Sequence, residues 1–160
     1  GYLHMDGITI ARAAHLLAVV LWIGGVAFVT LVLLPALSGT EPSVRFATFE
    51  RLERRFGRQA KLAVIVAGAS GFYMTHELMA WERFLDIRFW WMHAMVGVWL
   101  VFAFVLFVAE PLFLHAWFHR SASREPDRTY AALQRMHYVL LTVSLVTVAA
   151  AVLGAHGALP

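Results

Sequence analysis

The sequence contains no cysteine, which excludes disulfides, thiolate metal sites and thiol redox chemistry; any metal chemistry must rest on His, Met and carboxylate. Charge is scarce as well. Only 14% of the 160 residues are Asp, Glu, Lys or Arg, against 61% hydrophobic, and the mean hydropathy is +0.69, far from the soluble average. No P-loop, dinucleotide fingerprint, zinc-protease helix or nucleophile elbow is present, so nucleotide and soluble hydrolase chemistry have no foothold. The long apolar runs carry few formal charges, which weighs against an ion-conducting path.

What is there are apolar runs long enough to matter. Ala13 to Leu37 and Phe89 to Ala109 carry no formal charge, and each matches the roughly 20 residues that cross a hydrocarbon core. Leu62 to Trp81 is interrupted by Ser70, Thr75, His76 and Glu77, and Tyr138 to Ala155 by Thr142, Ser144 and Thr147 alone. These runs predict four spans, at about 8–37, 60–81, 88–118 and 130–156. Backbone groups in lipid must be satisfied within the segment, so the fold class expected is all-α, one integral membrane four-helix bundle in a single domain with both termini on one side. The first run is too long for a cleaved signal peptide and has no basic segment before it, so none is expected.

The basic residues set the orientation. Arg45, Arg51, Arg54, Arg55, Arg58 and Lys61 fall before the second span, and Arg120, Arg124, Arg128 and Arg135 around the third connection; only Arg12, Arg83 and Arg88 lie at the opposite face. The positive-inside rule places the arginine-rich face in the cytoplasm and both termini on the outer, periplasmic side of a bacterial inner membrane. The high pI, near 9.8, then reflects topology, and no nucleic-acid partner is expected. The stretch SVRFATFERLERRFGRQ sets Phe46, Phe49, Leu52 and Phe56 at helical spacing among charges, as in an amphipathic helix lying at the interface or extending the second span. Trp81, Trp90 and Trp91 fall where an outer aromatic belt is expected.

Histidine is the polar residue that the apolar runs do retain. His15 lies seven residues past Ile8, His76 five before Trp81 and His93 five after Arg88, which predicts similar depths of about 7 to 11 Å below the outer helix ends. His156 closes the fourth span on the same side. Imidazoles inside a membrane are costly unless coordinated or hydrogen-bonded, so several at one depth suggest a shared ligand. The spacings His15 to His76 and His93 to His156, 61 and 63 residues, are those of a degenerate hairpin repeat in which His15 and His93 would be equivalent.

Two ligands suit this pattern. A haem b needs axial ligands from facing helices, small residues where the macrocycle meets backbone, and cations near its propionates. His15 with His93, His76 or Met95 supplies ligand candidates, Gly24, Gly25, Gly68 and Gly71 close-approach positions, and Arg12, Arg83 and Arg88 the cations. This reading makes the chain an electron-transfer or porphyrin-redox protein, an oxidoreductase of cytochrome b type. Copper is the alternative: Met5, Met74, Met79, Met92 and Met95 share the outer side with His4, His15, His76, His93 and His156, and thioether with imidazole suits Cu(I). At the cytoplasmic side, Glu110 or His137 is a candidate proton acceptor for a quinone, and His115 and His119 form an i, i+4 surface pair. Besides lipid, the candidate partners are a quinone or redox protein, a second copy of the chain, or a larger membrane complex of which it is a subunit.

The stretch ARAAHLLAVVLWIGGVAF followed by LVLLPAL, FERLERRF before a small-residue helix ending GFYM, and WWMHAM together resemble the superfamily that joins CopD-type copper-resistance membrane proteins with HemJ-type protoporphyrinogen oxidases. The matches span roughly the first two thirds of the chain. The resemblance implies a haem-binding role for His15, which matches the helix-one histidine of the HemJ type. The lysine implicated in the third helix of that type falls on Met95 here, leaving a His15 and Met95 pair, or His15 with His93, as the implied ligands.

Overall fold

The computed structural model describes the backbone of residues 2–160 and the side chains of residues 6–160; His4 and Met5, counted in the outer His and Met inventory, lie outside the described side chains. Four long helices follow one another. Helix α1 comprises Tyr2–Phe28, a π-helical stretch Val29–Leu33 and a last turn Leu34–Leu37. Helix α2 is Pro42–Glu77, α3 runs through Trp90–Phe104, a π-helical stretch Val105–Leu114 and His115–Arg124, and α4 is Pro126–Ala155. Pro42 and Pro126 open α2 and α4, where the missing N–H costs nothing. Each π stretch sits near or at a proline, Pro35 two residues past the first and Pro111 within the second. Proline removes an i−4 hydrogen bond in any case, so wider winding costs least there.

The helices alternate in direction. Gly7 approaches Tyr73, and Gly154 approaches Trp91, at the end that carries both termini. At the other, arginine-rich end, Leu34, Phe49, Tyr130 and Leu133 form one buried cluster. A central layer of Trp22, Ala63, Val64, Ala67, Phe102 and Leu141 joins the two. Small residues on α2 permit that closeness: the Trp99 N–H donates to the Val64 carbonyl at 2.8 Å, and a Cβ on Gly68 would stand 2.6 Å from the Trp99 ring. Close helix approach through small residues is the usual device of membrane bundles.

Three helices are long and apolar enough to cross a membrane: Asp6–Leu37, Ile87–Arg124 and Pro126–Ala155. Helix α2, expected as the second span, is not one of these. Its uncharged run, Leu62 to His76, is short and diluted by Gly68, Ser70, Gly71, Tyr73, Thr75 and His76. The physical reason is in its packing, because Ala60, Ala63, Val64, Ala67, Gly68 and Ser70 are buried against neighbouring helices and need not be matched to lipid. Of the two expectations for the amphipathic stretch, the structure has the second: residues 43–59 extend α2, giving one helix of 36 residues, about 54 Å long. The helix stops at Glu77, four residues before the expected limit.

Candidate functional site

At the terminal end, the helix register separates the histidines expected to be level. His15 meets α2 at Ala67 and Ser70, the level at which Trp99 of α3 covers Gly68. His76 lies six residues beyond Ser70, in the last turn of α2, and His93 six residues before Trp99, in the first turn of α3. Both therefore stand about 9 Å closer to the helix ends than His15. The expectation of equal depth fails because α1 begins at Tyr2, six residues earlier than the limit from which depth was reckoned. His15 and His93 consequently do not occupy equivalent places in two repeated hairpins.

Each ring also has its own hydrogen bonds. His15 Nδ1 donates to the Ala67 carbonyl at 2.9 Å and lies 3.1 Å from Ser70 Oγ, whose own hydroxyl donates to Val66. His93 sets Nδ1 3.1 Å from the Phe89 carbonyl and Nε2 2.7 Å from that of Phe84. His156 Nδ1 donates to the Val152 carbonyl at 2.8 Å, and His76 Nδ1 accepts from the Trp81 indole at 3.4 Å. Met95 is half-buried beside Trp91, Met92 and Ala150, so it fills core space, and Met79 is 86% exposed. Trp91 is buried too, rather than part of a surface belt. Arg12 is exposed, whereas Arg88 is held by Asp86 at 2.7 Å and the Arg83 guanidinium lies over Phe89.

These contacts fit a haem in part. His15 fits the donor chemistry: a ligating histidine characteristically donates its second ring N–H to a carbonyl, and the Ala67 bond leaves the Nε2 lone pair available in the neutral ring. His93 does not offer a second ligand in this conformation, because both nitrogens face carbonyls. The glycines have occupants already. Phe56 fills the space at Gly25, Trp99 that at Gly68 and the His15 ring that at Gly71, while Gly24 faces open space.

The arginine-rich end brings together side chains from different helices. A cavity of about 310 Å³ opens among α1 to α4, with Trp22, Glu53, Lys61, Glu110, His115 and His137 in its wall. The π winding of α3 serves it: the His115 N–H bonds the Glu110 carbonyl five residues back, so Val105, Glu110 and His115 recur along one side and all line the cavity. Burial, together with the Glu110 and Glu50 carboxylates, pushes the Glu53 carboxyl up to about 7. Trp22 is only 5% exposed, and its indole N–H has no acceptor. A buried donor without a partner carries a free-energy cost that a bound acceptor would relieve. Beside the cavity, ligating atoms of Glu50, His115 and His119 lie within 4.8 Å of one another, the only such group of three His or acidic residues among the described residues.

Glu50, Glu53 and Trp22 had no place among the sequence candidates, yet a signal existed. Phe46, Phe49, Glu50, Glu53, Phe56 and Ala60 share one helical stripe at spacings of three and four, so two carboxylates stand on the apolar face of an amphipathic helix, where charge is unfavourable without a purpose. Comparison with protein-family models, with curated proteins and with solved structures gives no match.

Proposed function

We propose that this chain is a four-helix redox protein of the bacterial inner membrane, similar in kind to the CopD and HemJ superfamily, that holds a haem b on His15. In this reading α2 completes a four-span topology, the arginine-rich end faces the cytoplasm and the terminal end the periplasm. The observation that carries the reading is the seating of His15: a half-buried ring where α1 meets α2, bonded through Nδ1 to a carbonyl of that other helix, with Nε2 left for iron. The haem supplies one-electron chemistry. The protein's part is to fix the ring plane through Ala67 and Ser70 and to leave Arg12 for a propionate. The test is an optical spectrum with a pyridine haemochrome and metal analysis on protein purified in detergent. The expected result is a Soret band present in wild type and in His76→Ala and absent in His15→Ala; a colourless wild-type protein with stoichiometric copper overturns it.

The cavity supports a companion reading, a quinone as electron partner. Trp22 offers an unpaired N–H for a quinone carbonyl, and Glu53 and Glu110 offer carboxylates for proton exchange in a mostly apolar, aromatic-lined space, the composition of a small-molecule site. Quinol titration of the haem-loaded protein should reduce it, with Trp22→Phe and Glu110→Gln raising the half-saturating quinol concentration. Protein that neither binds nor is reduced by any quinol removes this partner.

A further inference from the structure

The outer histidines invited a metal reading, but the geometry of a shared ion occurs at the opposite end. His115 and His119 are i, i+4 on the helical segment His115–Arg124, with ring centroids 4.6 Å apart. Spacing of four residues puts two imidazoles on one helix face, as in helical zinc motifs. The third donor arrives from another helix: Glu50 Oε1 of α2 lies 3.1 Å from His119 Nε2. Ligand atoms around a four-coordinate ion with bonds of ~2.0–2.1 Å are themselves ~3.3 Å apart, so the 4.8 Å spread needs only side-chain rotation to close. His119 is half-exposed at 51% and Glu50 less so at 28%, so the rings are free to rotate and an ion has access. Among the described residues, no hydrogen bond engages the His115 ring.

We propose that Glu50, His115 and His119 form a three-ligand site for a divalent late first-row transition ion, of which Zn²⁺ is the probe, on the wall of the arginine-rich-end cavity that Glu50 and His115 line. Two imidazoles and a carboxylate are the donor set of metal sites that keep a position open for water or substrate. Soft-metal selectivity is not expected, since no thioether or thiolate contributes. The surrounding charge is mixed. Glu110, and Glu53 when ionised, add negative charge toward the cavity, while Arg54 approaches Glu50 at 3.6 Å and must yield when an ion binds. The site pins the first half of α2 to the end of α3, two of the segments that flank the cavity.

The proposal stands apart from the haem reading, because it uses neither His15 nor any spectral band of haem. Purified full-length protein is stripped with a chelator and titrated with Zn²⁺ against a competing indicator, and in parallel with Co²⁺ while its visible ligand-field bands are followed. One equivalent per chain is expected. His115→Ala, His119→Ala and Glu50→Gln should each weaken binding by at least the roughly 10–100-fold that outer-shell changes produce, while His93→Ala and His156→Ala leave it unchanged. Size-exclusion profile and thermal midpoint identify any variant that fails to fold, and a His115→Asn, His119→Asn double variant, polar and similar in size, then repeats the measurement. Absence of stoichiometric binding to wild type, or binding equal in wild type and the double variant, overturns the site.

Discussion

The two ends of the bundle hold the same residue types and use them differently. At the terminal end, His76, His93 and His156 bond within the segment that carries them or the adjoining loop, and only His15, among the described side chains, sets a histidine ring against another helix. At the arginine-rich end, Glu50 meets His119 across 69 residues, Tyr130 bonds the Leu34 carbonyl, and Phe49 packs edge-on to His137. Equal depth is therefore a poor surrogate for adjacency. Polar groups on neighbouring helices gather only where helix faces converge, and the π winding of α3 supplies that convergence at one end.

The largest expected effect tests whether the terminal half is held by close backbone approach. Gly68→Val places branched carbons where the rigid Trp99 indole lies and displaces its bond to Val64. Overpacking and the lost hydrogen bond together should cost about 3 kcal/mol. Gly24→Val, with nothing within 4 Å of the added carbon, should leave the unfolding transition in detergent nearly unchanged. Equal effects of the two would break the picture of α2 as the tightly embraced helix.

The other end should respond to pH through Glu53. Its carboxyl is pushed up to about 7 in the folded protein from an ordinary 4.5. Below about pH 4.5 both states are protonated and Glu53 contributes no pH dependence. Between 4.5 and 7 the folded state binds more protons than the unfolded one, so stability falls as pH rises, and it levels off above the folded value. Discounted for partial exposure, the loss amounts to about 2 kcal/mol. Glu53→Gln should flatten the thermal midpoint between pH 5 and 8 and raise it at the alkaline end; an unchanged slope would remove Glu53 from the cavity's charge balance.

Arg45 anchors the same end with a smaller effect. Its side chain is 7% exposed, 3.3 Å from an Asp127 that is 92% exposed, and its guanidinium lies 4.6 Å from the Tyr130 ring centroid. A pair with one partner in water contributes little, so most of the contribution comes from the buried stem and the ring contact. Arg45→Ala should cost about 1–2 kcal/mol and Arg45→Met about half of that. Asp127→Asn should change stability by less than either, in a double-mutant cycle read by thermal unfolding.

Much of the helix layout was legible because lipid and backbone leave few choices: uncharged runs marked α1, α3 and α4, and the prolines at 42 and 126 stand where α2 and α4 begin. Glu125 alone separates α3 from α4. What could not be read was register. The His115 and His119 pair was visible as i, i+4, but its third donor depends on how α2 meets α3, which no local spacing encodes. The π stretch Val105–Leu114 changed which face of α3 looks inward, and Pro111 alone hinted at it. The stripe that places Glu50 and Glu53 beside Phe46, Phe49 and Phe56 was in the sequence throughout; what was missing was the weight that a carboxylate on an apolar face should carry.

The smallest effect separates fold from ligand at the terminal end, where α2 and α4 finish in the same way. Met79 N–H bonds the His76 carbonyl and Ala80 N–H that of Thr75; Gly157 N–H bonds Gly154 and Ala158 N–H bonds Leu153. This pattern requires a left-handed residue after the helix, supplied by Gly157 at φ 71° and by Met79 at φ 52°. Methionine meets a Cβ clash there that glycine avoids. Met79→Gly should therefore stabilise the protein by about 0.5–1 kcal/mol, the relief of strain less glycine's greater freedom when unfolded. Exposure of Met79 means that little packing is lost, and Gly157→Ala should act in the opposite sense. The same variant reports on copper: with Met79 as a thioether ligand, the gain in stability would be accompanied by weaker Cu(I) binding, whereas a turn residue alone gives the gain with no change in metal content.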